Sequence, residues 1–143
     1  MKTTKTLVSL LLVAVTVLTL PLTALASTVY SGSYNGNTYT ATVGGSTSSI
    51  SSVLSVSTAA RLRADTTVRI KYVKLGESTD WGDAEMPAFS TSNVTSITNS
   101  YSYLDCMNHH SSIPSNGYFS KCFYYDYISG HKVLNGAVET FSL

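Results

Sequence analysis

This chain of 143 residues carries nine basic and eight acidic side chains, and its net charge of +1 excludes the strongly basic surface that general nucleic-acid binding requires. Charged residues make up 12% of the chain, about half the usual share of ~25%. Ten tyrosines and four phenylalanines supply more apolar surface than a disordered chain contains, so we expect a folded domain.

The first 26 residues have the pattern of a secretory signal peptide. Lys2 and Lys5 precede the uncharged stretch LVSLLLVAVTVLTL, and a small-residue site ending at Ala26 follows it. The stretch falls short of the ~20 apolar residues that span a bilayer, which favours export and cleavage over a membrane anchor. We therefore expect a secreted, extracellular protein with one domain, residues 27–143, and no stable membrane insertion. Without the two lysines its net charge is −1, which also argues against an anionic membrane as partner.

The mature sequence begins with a predicted hairpin and a long polar strand. Asn35-Gly36 is the favoured pair for a two-residue type I′ turn, since both positions need positive φ. Apolar residues then fall on even positions from Ile50 to Ala64. This two-residue period favours a strand, although residues 52–64 also contain enough helix formers for a helix.

The next predicted strand, TVRIKYVKL, follows a predicted turn at Asp65-Thr66 and has the clearest alternation in the chain. Val68 and Ile70 fall on one side and basic residues on the other, so one side should pack on the core while the other meets water. Together with Arg61 and Arg63, these basic residues could form a small basic patch. An ordinary solvated sheet face is the favoured interpretation.

The second half of the chain contains further predicted strands. Residues 76–89 are predicted as a loop that holds the single tryptophan, Trp81. Residues 91–104 and 118–128 are predicted as strands, and the C-terminal residues as a hairpin or terminal strand with a second turn at Asn135-Gly136. Seven or eight short strands without a long helix predict an all-β fold, a small antiparallel β-sandwich or barrel. The pattern leaves open which sheet face forms the core.

The stretch CMNHHSSIPSNGYFSKC contains both cysteines of the chain. An even cysteine count in an exported domain indicates a disulfide, so we expect Cys106 to pair with Cys122. The bridge would close a loop of ~16 residues and stabilise the fold by roughly 3 kcal/mol on the chain-entropy model. The stretch is therefore predicted to be a stapled surface loop.

Two site-based interpretations compete with the stapled loop. Four side chains, Cys106, His109, Cys122 and His131, could bind zinc, but their spacing is not that of a zinc finger. A catalytic set could combine Ser111 or Ser112 with a histidine and with Asp105 or Asp126. Without a G-x-S-x-G, H-E-x-x-H or P-loop motif, a small hydrolase is a remote alternative. On an extended backbone, the adjacent residues His109 and His110 would point to opposite sides. We expect no metal and no cofactor.

Acidic residues next to Trp81 form the other polar cluster. Asp80, Asp83 and Glu85 supply oxygen donors, but the loop lacks the D-x-D-x-D-G pattern of a calcium site. Two of these carboxylates could flank a sugar as an acid and base pair only if they faced each other across a cleft. A solvated loop anchored by the tryptophan is the favoured interpretation.

Aromatic residues are the strongest indication of function. In YFSKCFYYDYI, both alternating sides carry rings, with Phe119, Phe123, Tyr125 and Tyr127 on one side and Tyr118 and Tyr124 on the other. Since one sheet face forms the core, several rings should be exposed, and exposed tyrosines suit protein contacts or sugar stacking. The candidate contacts are Tyr101, Tyr103, Tyr125, Tyr127 and Trp81. A two-sided sandwich strand with tyrosines at its edges is the structural alternative.

These observations favour a binding protein over an enzyme. We expect a secreted β-domain that binds an extracellular partner protein or a cell-surface glycan through exposed aromatic residues. In outline, a signal peptide followed by a small domain rich in Tyr, Ser and Gly also resembles secreted bacteriocin-like proteins, so an antimicrobial or toxin protein is the alternative. The sequence indicates neither the ligand nor the oligomeric state.

Overall fold

The computed structural model describes residues 26–139, so the predicted signal peptide lies outside the described residues except for Ala26. In chain order the elements are β1 (Ala26–Tyr34), β2 (Asn37–Gly45), β3 (Ser49–Lys74), β4 (Glu77–Ser102), α1 (Tyr103–His109), β5 (Gly117–Ile128) and β6 (His131–Glu139). The six strands form one curled antiparallel sheet, a half-barrel. The all-β antiparallel prediction is thus confirmed in its general form. No helix within the described range is long and apolar enough to cross a membrane.

Two strands of 26 residues, β3 and β4, organise the sheet. They pair along most of their length, with a gap between Ser55 and Ala60 of β3, and are joined at Leu75 and Gly76, which both have positive φ. The strand prediction for residues 52–64 is therefore confirmed, whereas the turn predicted at Asp65-Thr66 and the loop predicted over 76–89 are wrong. The described residues hold six strands and not seven or eight, because β3 and β4 each continue through a predicted break.

A bend over residues 57–61 lets β3 pair with strands in both halves of the sheet. Before the bend, one edge of β3 pairs with β2, and after the bend the same edge pairs with β5. The other edge pairs with β4 before and after the bend, with register shifts between Ser55 and Leu62. Because bulges bend and twist a strand, these shifts bring β1 and β2 over β6.

The core lies on the inner side of this curl. Even positions of β3 from Ile50 to Val56 and from Leu62 to Ile70 are buried, as are those of β5 from Cys122 to Ile128, which identifies the core face that the sequence left open. Two tyrosines tie the halves together, since the Tyr39 hydroxyl donates to the Val133 carbonyl at 3.1 Å and the Tyr124 hydroxyl to the Gly44 carbonyl at 2.6 Å. Burial of these apolar side chains on one face stabilises the curled form.

The residues after β4 form a helix that the sequence analysis missed. Ser102 accepts a hydrogen bond from the Asp105 backbone N–H at 3.1 Å, and the Asp105 carboxylate accepts one from the Ser102 N–H at 2.7 Å. This reciprocal capping box, S-x-x-D in the sequence, starts α1 and ends β4. The predicted strand 91–104 is therefore two residues too long.

The last two strands form a hairpin with its turn at Ser129 and Gly130, both of positive φ. The predicted second turn at Asn135-Gly136 is wrong, since these residues pair within β6. A Cβ on Gly136 would lie 3.2 Å from the Tyr30 ring, so this glycine allows β1 to approach β6.

Candidate binding face

The outer side of β5 carries a row of three aromatic rings. Phe123, Tyr125 and Tyr127 alternate with the buried residues of the same strand, and all three are partly exposed. Phe119, which was grouped with them from its odd number, is instead fully buried. A register shift against β3 between Arg69 and Ile70 changes which side of β5 faces the core at that point. We call Phe123, Tyr125 and Tyr127, with the cations beside them, the aromatic face.

Cations from β5 itself and from its neighbouring strands flank these rings. The Arg63 guanidinium lies 5.3 Å from the Tyr127 ring centre, and the Lys132 ammonium lies 5.6 Å from the same ring and 4.9 Å from that of Tyr125. At the other end, Arg69 lies 5.5 Å and Lys121 5.7 Å from the Phe123 ring. Because a cation is attracted to the face of an aromatic ring, each of these ring faces lies next to a positive charge. The ring edges and the tyrosine hydroxyls remain accessible.

Most of the basic residues that suggested a patch are neutralised by carboxylates. Asp83 holds Arg69 through two bonds of 2.7 and 3.0 Å, and Asp80 lies 3.8 Å from the Lys71 ammonium. The hydrogen bond from Arg69 also lowers the pKa of Asp83. The acidic cluster around Trp81 therefore pairs with β3, and among residues 26–139 no group of three or more His, Cys, Asp or Glu side chains could hold a metal ion.

Arg61 differs from the other arginines of β3. Arg63 is paired with Asp65 through bonds of 2.7 and 2.8 Å, which raise its pKa. Arg61 is exposed and makes no ion pair with any side chain that the structure describes. Both arginines line a cavity of about 660 Å³ at the Tyr127 end of the aromatic face.

The structure separates the five predicted contact residues into two groups. Tyr125 and Tyr127 lie on the aromatic face. Tyr101 at the end of β4 and Tyr103 at the start of α1 are partly buried, and their hydroxyls donate to the carbonyls of Pro87 at 2.6 Å and Pro114 at 2.7 Å. Trp81 packs against the core from β4.

Both cysteines are buried, and within the described residues neither forms a disulfide. The predicted bridge is therefore absent from this structure. Cys106 lies on α1 and not at the end of a strand, so the assumption that two adjacent strands carry the pair is wrong. Burial raises the pKa of Cys106 to about 11 and that of Cys122 to about 12.

The histidines do not assemble the zinc or hydrolase sites. His131 stacks on Tyr34 with ring centres 4.2 Å apart, away from α1. The rings of His109 and His110 contact each other at 4.6 Å, because these residues end a helix and are not extended as assumed. The His110 Nε2–H donates to the Glu85 carbonyl at 2.7 Å, and neither histidine pairs with a carboxylate among residues 26–139.

No protein-family model matches this chain, and comparison with curated proteins and with solved structures finds no match. The class of protein is therefore given by its own architecture, a curled six-stranded antiparallel sheet with a cation-flanked aromatic face.

Sequence reasoning missed two parts of the face. Lys132 lies opposite Tyr127 only because the hairpin turn is at Ser129-Gly130, and S-G is itself a turn signal. Ser90, which lies between the predicted loop 76–89 and the predicted strand 91–104, is opposite Arg63 because β4 runs through this position. A row of four side chains, Ser90, Arg63, Tyr127 and Lys132, thus crosses β4, β3, β5 and β6.

Proposed function

We propose that this protein is exported and binds a carbohydrate outside the cell through the aromatic face, without catalysing a reaction. The observation that carries the proposal is the row of rings at Phe123, Tyr125 and Tyr127 on the outer side of a strand whose inner side already supplies the core. A strand with one buried face needs no second aromatic face for stability, and rings with polar edges suit sugars. Export rests on the signal-peptide pattern of residues 1–26.

Two further features support binding over catalysis. The hydroxyls of Tyr125 and Tyr127 make no hydrogen bond with the described residues, so they are available to a ligand. Neither carboxylate considered for catalysis is available to a substrate, since Asp105 caps α1 and Asp126 is fully buried.

The test is binding of the purified protein to a panel of soluble and insoluble polysaccharides. We expect the Tyr125→Ala/Tyr127→Ala variant to lose binding while its melting temperature stays close to that of the native protein. Phe89→Ala is the matched control, because Phe89 is an aromatic residue of β4 that is 45% exposed and lies outside the aromatic face. Equal loss in the control, or native binding by the double variant, would contradict the proposal.

A further inference from the structure

The cavity at the Tyr127 end of the aromatic face has the composition of a site for a charged sugar. Its volume of about 660 Å³ lies within the ~300–1,000 Å³ range of small-molecule sites. Its walls come from three places, the outer side of β3, the end of β5 with its turn, and β4. The Ser129 N–H donates to the Arg61 carbonyl at 2.8 Å, which holds the turn against β3.

The charged side chains that line this cavity are both arginines. Arg61 and Arg63 line it, and no acidic side chain does. Arg63 is already paired with Asp65, whereas Arg61 has no such partner among the described side chains. An unpaired guanidinium presents a planar fork of donors that matches a carboxylate.

The other walls match the body of a sugar. Ser90 and Ser129 bring hydroxyls, which exchange hydrogen bonds with sugar hydroxyls. Tyr127 contributes an aromatic wall, and its ring is held between Arg63 and Lys132. A bare anion would use neither the aromatic wall nor most of the volume.

We propose that this cavity binds a glycan residue that bears a carboxylate, with Arg61 holding the carboxylate and the accessible edge of Tyr127 contacting the sugar. The proposal rests on the proposed function and names the ligand class of the same face. The cations over Tyr125 and Tyr127 support an acidic ligand, since they would repel a positively charged one.

The test compares uronate tetrasaccharides with their methyl esters by calorimetry. The probes contain glucuronate, galacturonate or mannuronate, and esterification replaces the charged carboxylate by a neutral methyl ester on the same sugar. We expect at least one free acid to bind, and Arg61→Gln to weaken it about tenfold or more, as loss of a charged hydrogen bond does. Lys74→Gln is the matched control, because Lys74 is an exposed cation of the same strand, β3, that lies outside both the aromatic face and the cavity, and it should change the affinity by less than about twofold.

The outcomes separate the two proposals. If esters bind as tightly as acids and Tyr125→Ala/Tyr127→Ala still abolishes binding, the carboxylate assignment is overturned and carbohydrate binding stands. If neither acids nor esters bind, the carboxylate assignment is overturned, and the polysaccharide panel alone decides carbohydrate binding. A sulfated glycan or an aspartate-rich peptide that displaces the uronate with equal affinity and shows the same dependence on Arg61 also overturns the assignment. Loss of binding in Arg61→Gln counts as support only at an unchanged melting temperature.

Discussion

The side-chain amide of Asn37 replaces the strand partner that Thr58 loses at the bend of β3. Its oxygen accepts from the Thr58 N–H at 2.9 Å, and its nitrogen donates to the Thr58 carbonyl at 2.7 Å. The same oxygen accepts from the Ser57 hydroxyl at 2.9 Å. Since Thr58 pairs with neither β2 nor β4, one amide satisfies a backbone that would otherwise lack partners.

Replacing Asn37 should therefore destabilise the fold. We expect Asn37→Ala to lower the free energy of unfolding by about 1–3 kcal/mol, because two backbone groups lose their partner. Urea unfolding followed by tryptophan fluorescence measures it. Thr40→Ala serves as the control, since the exposed Thr40 side chain makes no hydrogen bond with the described residues. Equal stability of the two variants would show that the amide is dispensable.

Tyrosine hydroxyls should divide into structural and free groups. Tyr101→Phe and Tyr103→Phe each remove a hydrogen bond to a backbone carbonyl, and we expect each to cost about 1 kcal/mol. Tyr125→Phe and Tyr127→Phe should leave the free energy of unfolding unchanged within about 0.5 kcal/mol. Parallel urea titrations compare the four variants. The opposite ranking would contradict the assignment of Tyr101 and Tyr103 as the hydrogen-bonded tyrosines.

The buried Asp126 should make stability depend on pH. It is fully buried, and neither carboxylate oxygen has a hydrogen-bond partner among the described residues. Desolvation raises its pKa from 3.8 to about 7, an effect that the nearby Ser52 hydroxyl opposes and the charge of Asp65 reinforces. The folded state thus binds the proton more tightly than the unfolded state. The stabilisation is complete below pH 3.8 and is lost as the pH rises to about 7.

Asp126→Asn removes this titration while keeping the shape of the protonated acid. We expect the variant to gain stability relative to the native protein as the pH rises from 4 to 8, by up to about 4 kcal/mol. The free energies of unfolding of both proteins are measured by urea titration across that range. Contributions from other groups cancel in the difference. Two parallel curves would mean that Asp126 has the same pKa in both states.

The two thiols should be unreactive until the protein unfolds. Because burial raises the pKa of Cys106 to about 11 and that of Cys122 to about 12, little thiolate exists at neutral pH, and reagents have no access to it. We expect iodoacetamide to label both cysteines in urea without a reductant and neither in the native protein. Intact mass reports the labels. If the cysteines are labelled in urea only after reduction, they form the disulfide that the sequence predicted.

Local patterns determined which segments of this protein are strands. The even-numbered apolar positions between Ile50 and Ala64 identified a strand, and Asn35-Gly36 identified the first hairpin turn. Both are properties of neighbouring residues, since side-chain alternation and positive φ are local preferences. The capping box at Ser102 was equally local and could have been found from its S-x-x-D spacing.

Tertiary pairing decided where strands continue, bend and change sides. Asp65-Thr66 looks like a turn in isolation, yet Thr66 is buried within β3, because β4 and β5 pair with it on both edges. A single register shift placed Phe119 in the core and left Phe123 outside.

The candidate site also depended partly on local sequence patterns and partly on tertiary pairing. Alternation indicated that β5 has two aromatic sides, but it could not show which side the curled sheet covers. For that reason only Tyr125 and Tyr127 of the five predicted contacts lie on the aromatic face, while Tyr101, Tyr103 and Trp81 are packed elsewhere. Arg61 becomes distinctive only when the carboxylates that neutralise its neighbours are placed in space, since ion pairs across strands depend on register.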